Sequence, residues 1–188
     1  MAEEREFNST KLTYQYPITI NRYIVNLDSY IDSPDNYREV FDTLIKAEQD
    51  ESIFLNINSC GGRMDTTREF ISLLLNTNAS TRATIFTASS AAALIALSCD
   101  EIQVAQTGAM MIHNSSFGTE GKVGDIKSQS DHIDKMSRSL FELVLKGFLT
   151  KEEIEEVCIG KEFYFDYKQI VKRMKKFVPI RLREPEGK

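Results

Sequence analysis

Residues 82–99 read RATIFTASSAAALIALSC. The first seven positions, RATIFTA, are rich in β-branched and apolar residues and predict a strand. From Ser89 to Cys99 the chain has almost no polar side chain beyond the serines, and a helix without a polar face is normally buried. A strand that runs directly into a buried helix is the elementary step of an α/β fold. The neighbouring segments repeat it. Upstream, RYIVNL (22–27) and SIFLNI (52–57) are compact strands, the second broken by Ser59-Cys60-Gly61-Gly62. Ser33-Pro34-Asp35 starts a helix that places Tyr37, Val40, Phe41, Leu44 and Ile45 at helical spacing, and Asp65 can cap another that carries Phe70, Ile71, Leu73, Leu74 and Leu75. Downstream, EIQVAQ (101–106) and AMMIHN (109–114) read as two further strands. The alternation predicts a mostly parallel sheet, and strands apolar on both faces predict one covered on both sides.

Gly118, Gly121 and Gly124 then punctuate a loop, and a long helix follows with Ile126, Ile133, Met136, Leu140, Phe141, Val144, Leu145 and Phe148 as its apolar positions. Thr150 and Glu153 form a capping box for a short helix. FYF (163–165) is a short strand and YKQIVKRMKKF (167–177) a basic helix. The expected organisation is a flexible segment 1–16, one domain over 17–178, and a flexible tail 179–188.

The chain has 188 residues, enough for one domain with a real core. Its net charge of -5 argues against nucleic acid as a partner, since backbone phosphates call for a basic face. No apolar run reaches the roughly 18 residues of a membrane span, and MAEEREFNST lacks the features of a signal peptide. The three cysteines, Cys60, Cys99 and Cys158, fit neither a disulfide framework nor a zinc signature. These features predict a reduced, cytoplasmic protein without a metal site.

Three features fall at strand ends, where α/β folds place their sites. Gly61-Gly62 lets the backbone approach a ligand, or is a plain tight turn. Ser89-Ser90 opens the buried helix as a cap, or supplies a nucleophile beside unsatisfied amides. His113 ends an apolar strand as a structural residue or a base. The only other histidine, His132, lies off the apolar stripe of the long helix and reads as solvated.

Taken together, in order and spacing, these features resemble the proteolytic subunit of Clp proteases. The family's I-N-S-P-G-G appears as Ile57-Asn58-Ser59-Cys60-Gly61-Gly62, and its A-A-S-M-G-A as Ala88-Ser89-Ser90-Ala91-Ala92-Ala93. Its M-I-H-Q-P appears as Met111-Ile112-His113-Asn114-Ser115, and its glycine-rich stretch ends here in Gly124-Asp125-Ile126. The resemblance covers roughly residues 20–170. It implies a Clp/crotonase-type α/β fold, a superhelix of repeated β-β-α units with a protruding handle helix at about 118–148. It also implies a serine endopeptidase that cleaves unfolded polypeptides, with Ser90 as nucleophile, His113 as base, Gly61, Gly62 and Ala91 around the oxyanion and substrate, and no cofactor. The implied assembly is a homo-oligomeric ring, heptameric or stacked as a double ring, with an ATP-dependent unfoldase as a possible partner.

The family's third catalytic residue is an aspartate in R-D-x-F. Aligned on Phe163, that position holds Lys161, with Glu162 one residue on and Asp166 four beyond it. Either the register slips and Glu162 serves, or the site is a Ser-His dyad, or activity is lost. A Ser90–Lys161 dyad is a fourth arrangement. The functional alternatives are a catalytically inactive structural subunit and a crotonase-type acyl-CoA enzyme.

Overall fold

The computed structural model of the chain describes residues 19–116 and 118–184. The segment 1–16, and residues 185–188 of the expected tail, lie outside the described residues. Strands β1 (Arg22–Leu27), β2 (Ser52–Ser59), β3 (Ser80–Ser89), β4 (Glu101–Ile112) and β5 (Phe163–Asp166) stand side by side in chain order. The first four pair in parallel and β5 runs antiparallel to β4. Helices α1 (Arg38–Lys46), α2 (Met64–Asn76) and α3 (Ala91–Leu97) link successive parallel strands. Helices α4 (Val123–Leu145) and α5 (Lys151–Cys158) lead to β5, and α6 (Tyr167–Met174) follows it. The α/β fold expected from the sequence is therefore present.

Strand order decides which faces are covered. Crossovers of one hand that always step the same way across a sheet stack every helix on one face. The burial pattern agrees. Along β2, Ile53, Leu55 and Ile57 are buried, whereas Phe54 and Asn56 are half-buried and Asn58 is exposed. Along β3, Thr81, Ala83 and Ile85 are buried and Phe86 is exposed. The expectation of a sheet covered on both sides is corrected: the helices cover one face, and the other carries an Asn56–Asn26 side-chain hydrogen bond among its surface residues. Composition misled there because Phe54 and Phe86 are apolar but face outward.

The two strands expected at 101–106 and 109–114 are one strand of 12 residues. Its pairing with β3 jumps from Ile85↔Val104 to Thr87↔Ala109, so β4 bulges through 105–108 and then rejoins the same ladder. Gly108 sits in the crook of that bulge, where a Cβ would come within 2.7 Å of Val104 Cγ1. The second arm, Ala109–Ile112, carries the chain to His113.

All seven residues of α3 are buried, as its composition requires. Helix α2 starts two residues earlier than expected: Arg63 is its N-cap, and Asp65 lies in the first turn, paired with Arg63. That pairing pulls the Asp65 carboxyl down to about 2. The capping box of α5 forms as read, Glu153 N–H donating to Thr150 Oγ1. Helix α4 stands out as a handle. Its buried residues are Ser137, Phe141, Val144 and Leu145, all in its C-terminal part, while Val123 and Met136 are exposed. His132 is exposed on it. Part of the tail expected to be flexible is docked instead. Ile180–Leu182 forms a 3-10 turn, Arg181 pairs with Asp100 at 3.0 Å, and Arg183 donates to the carbonyls of Leu143 and Lys146. Among the described residues, no helix is long and apolar enough to cross a membrane.

Candidate active site

Ser90 occupies the single residue between β3 and α3. Its φ of 55° and ψ of -123° belong to the first central position of a type II′ turn, ordinarily held by glycine. Among the described residues it is the only non-glycine with positive φ. Such a conformation costs about 1–3 kcal/mol and persists only where its surroundings enforce it. Here Ser90 N–H donates to Met111 O at 2.8 Å, and Ser90 O accepts from Ala93 N at 3.0 Å. Buried α3 holds the far side of the turn. The side chain makes no cap bond to the helix, so the capping role is excluded. The hydroxyl meets His113 instead, with Oγ and Nε2 2.8 Å apart.

His113 reaches that position through the sheet. Ser89 pairs with Met111 across β3 and β4, and His113 follows two residues later. The segment beyond is tied down: Asn114 Nδ2 donates to Cys158 O, and Ser115 Oγ bonds Ser137 Oγ on α4, each at 2.8 Å. The antiparallel register on the other side settles which charge faces the imidazole. Ile112 pairs with Phe163, so one step on, His113 lies opposite Glu162. Directly opposed residues share a face and their neighbours point away. Glu162 Oε1 lies 3.7 Å from His113 Nδ1, longer than a hydrogen bond. Its other oxygen accepts from Tyr164 Oη at 2.6 Å. Lys161 Nζ pairs with Glu156 at 2.7 Å and lies over the Phe163 ring. Asp166 caps α6 through Gln169 N–H. Of the candidates named from the sequence, Glu162 alone faces the second ring nitrogen.

Gly61 and Gly62 are required by close approach. Gly61 has φ +97°, and a Cβ there would lie 2.6 Å from Ser89 O and 2.8 Å from Ser90 Cβ. A Cβ on Gly62 would fall 2.0 Å from Ile31 O. The glycine pair is stitched to Ile31, whose N–H donates to Gly61 O and whose carbonyl accepts from Arg63 N–H. That bridge uses the groups on either side of the Gly62 N–H and leaves it out. Ala91 is the first residue of α3, and the first amides of a helix have no intrahelical acceptor. Two main-chain donors thus belong to the two segments that meet at Ser90.

The sequence reading missed Tyr164. The signal was available: Glu162 directly precedes the strand, two residues before Tyr164, and residues two apart along extended backbone share a face. It also missed the Asn114 and Ser115 anchors, which depend on contacts with α5 and α4 that spacing does not reveal.

No curated protein matches the chain. The family model of the Clp protease matches residues 10–171, a span that holds every residue of the site. The chain belongs to the Clp protease family.

Proposed function

We propose that the chain is a serine endopeptidase of the Clp type, cleaving unfolded polypeptides inside a ring-shaped oligomer. The observation that carries this reading is the 2.8 Å contact between Ser90 Oγ and His113 Nε2, made from the one strained non-glycine turn among the described residues. In the reaction His113 takes the Ser90 proton as Oγ attacks the scissile carbonyl, and returns it to the leaving amine. The N–H groups of Gly62 and Ala91 hold the developing oxyanion. Glu162 orients the imidazole and steadies its charged form. Water then releases the acyl group by the same steps in reverse. Family membership carries ring assembly and peptide substrates in general. Seven subunits, a stacked double ring and an ATP-driven unfoldase partner belong to the proposal. ATP dependence would come from such a partner, because no G-x-x-x-x-G-K-[ST] segment occurs in the chain.

The test is reaction with a serine-directed fluorophosphonate followed by mass mapping. The expected label is on Ser90, absent in Ser90→Ala. An assembled oligomer that takes no label instead favours a silent structural subunit. The 3.7 Å gap to a half-exposed Glu162 is the observation on that side. The acyl-CoA alternative loses ground to the Ser90–His113 contact, which such chemistry does not need.

The register argument makes a separate prediction. Glu162→Gln is expected to lower kcat/KM on a fluorogenic peptide by about 10- to 100-fold, less than the roughly 10⁴-fold seen for a buried triad aspartate, because solvent screens an exposed carboxylate. Lys161→Met is expected to stay within about twofold, its ammonium being paired with Glu156 and lying over the Phe163 ring. A larger loss for the lysine variant would place Lys161, not Glu162, at the histidine.

A further inference from the structure

We infer that Tyr164 is a positioning residue for the catalytic machinery, acting through Glu162; this rests on the peptidase reading above. Among the described residues Glu162 is the acid paired with His113, yet it is about half exposed and stands 3.7 Å from Nδ1. A carboxylate on an exposed, three-torsion side chain has no fixed direction of its own. Tyr164 supplies one. Its hydroxyl donates to Glu162 Oε2 at 2.6 Å, which leaves Oε1 as the oxygen turned to the imidazole.

Strand geometry makes the support rigid. Tyr164 pairs with Met111 in the ladder that leads to His113, so the hydroxyl on β5 and the carboxylate and imidazole just beyond the paired ends of β5 and β4 follow one another on the same face. A tyrosine has only two torsions to fix and holds its hydroxyl at the end of a stiff ring. The bond to Glu162, and then the charge of that carboxylate, push the Tyr164 hydroxyl above its ordinary value, so it stays a proton donor wherever the enzyme would work. A longer acid at this position, compared with the family's aspartate, needs such a brace; Tyr164 removes the freedom the extra methylene adds.

The test compares the assembled wild-type protein with Tyr164→Phe, Glu162→Gln and the double variant. Phenylalanine keeps the ring and removes only the hydroxyl. The first readout is the rate of Ser90 labelling by fluorophosphonate. Tyr164→Phe is expected to slow it by about 3- to 10-fold, the range of one ordinary hydrogen bond because solvent screens this exposed pair, and to add nothing in the Glu162→Gln background. Equal rates for Tyr164→Phe and wild type overturn the inference, and so does an equal slowing in both backgrounds, which marks a merely structural effect. The second readout needs no reaction. Nitrogen NMR of the two histidines reports the His113 tautomer, and the Nδ1–H form should lose population in Tyr164→Phe but not further in the double variant. If wild-type Ser90 takes no label, the peptidase reading falls and this readout decides Tyr164 alone. A shifted tautomer then supports the brace, and an unshifted one overturns it.

Discussion

Replacing Ser90 by alanine is expected to lower peptide hydrolysis by about three to six orders of magnitude, the range for loss of a serine nucleophile whose binding groups survive. The oligomer should remain intact, because the Ser90 hydroxyl bonds His113 and takes no part in capping α3. His113→Ala should fall in the same range, and the double variant should lose little more, since the two residues act as one unit. The backbone adds a second expectation. With φ of 55° the Ser90 Cβ is strained, and alanine keeps that Cβ. Ser90→Gly should therefore match Ser90→Ala in lost activity but be more stable by about 1 kcal/mol, the strain released less the extra freedom glycine has when unfolded. Thermal melting of the two variants side by side measures this. Equal melting temperatures would mean that the strain is no larger than the extra freedom glycine has when unfolded.

Gly62→Ala is expected to be the most damaging substitution outside the Ser90–His113 pair. The added Cβ would sit 2.0 Å from Ile31 O and 2.7 Å from Ile31 N and C. These are main-chain atoms of a fully buried residue, so no side chain can swing aside. The two segments must part, which should cost about 3 kcal/mol or more. Parting also carries the Gly62 N–H away from Ser90, and loss of one oxyanion donor is worth about 10²- to 10³-fold in rate. Gly61→Ala combines a contact at 2.6 Å with φ of +97° and should behave alike. Gly124→Ala is the control, since it has open space around it inside α4. It should be neutral or stabilising, by up to about 1 kcal/mol of helix propensity. Urea unfolding and fluorophosphonate labelling, run on the same samples, separate the stability loss from the rate loss.

Much of this was readable from local pattern. The buried α3 follows from a run of apolar residues with no polar face, and the α5 cap from Thr150 and Glu153 alone. Each depends on residues within one or two turns of one another. The errors share a different cause. The sheet was read as covered on both sides because Phe54 and Phe86 are apolar, but coverage depends on strand order, which composition does not carry. Strand β4 was divided at Thr107-Gly108, where the chain does bulge, but the ladder beyond was invisible without β3. The tail from 179 looked free until Arg181 met Asp100, a residue far away in sequence.

The choice between Lys161 and Glu162 shows where that boundary lies. A strand alternates faces every residue, so a shift of one in register exchanges an ammonium for a carboxylate at the histidine. Alignment by sequence is uncertain by that one residue, whereas the pairing of Ile112 with Phe163 is not. The sequence by itself determined the α/β alternation, the buried helix behind Ser90, and which serine, histidine and glycines were available. Only the tertiary structure decided that Ser90 takes a turn of positive φ, that its hydroxyl meets His113, and that Glu162, hydrogen-bonded by Tyr164, faces the second ring nitrogen. Helical and strand periods are written in neighbouring residues. Register, close approach and strain arise only when segments distant in the chain are packed together.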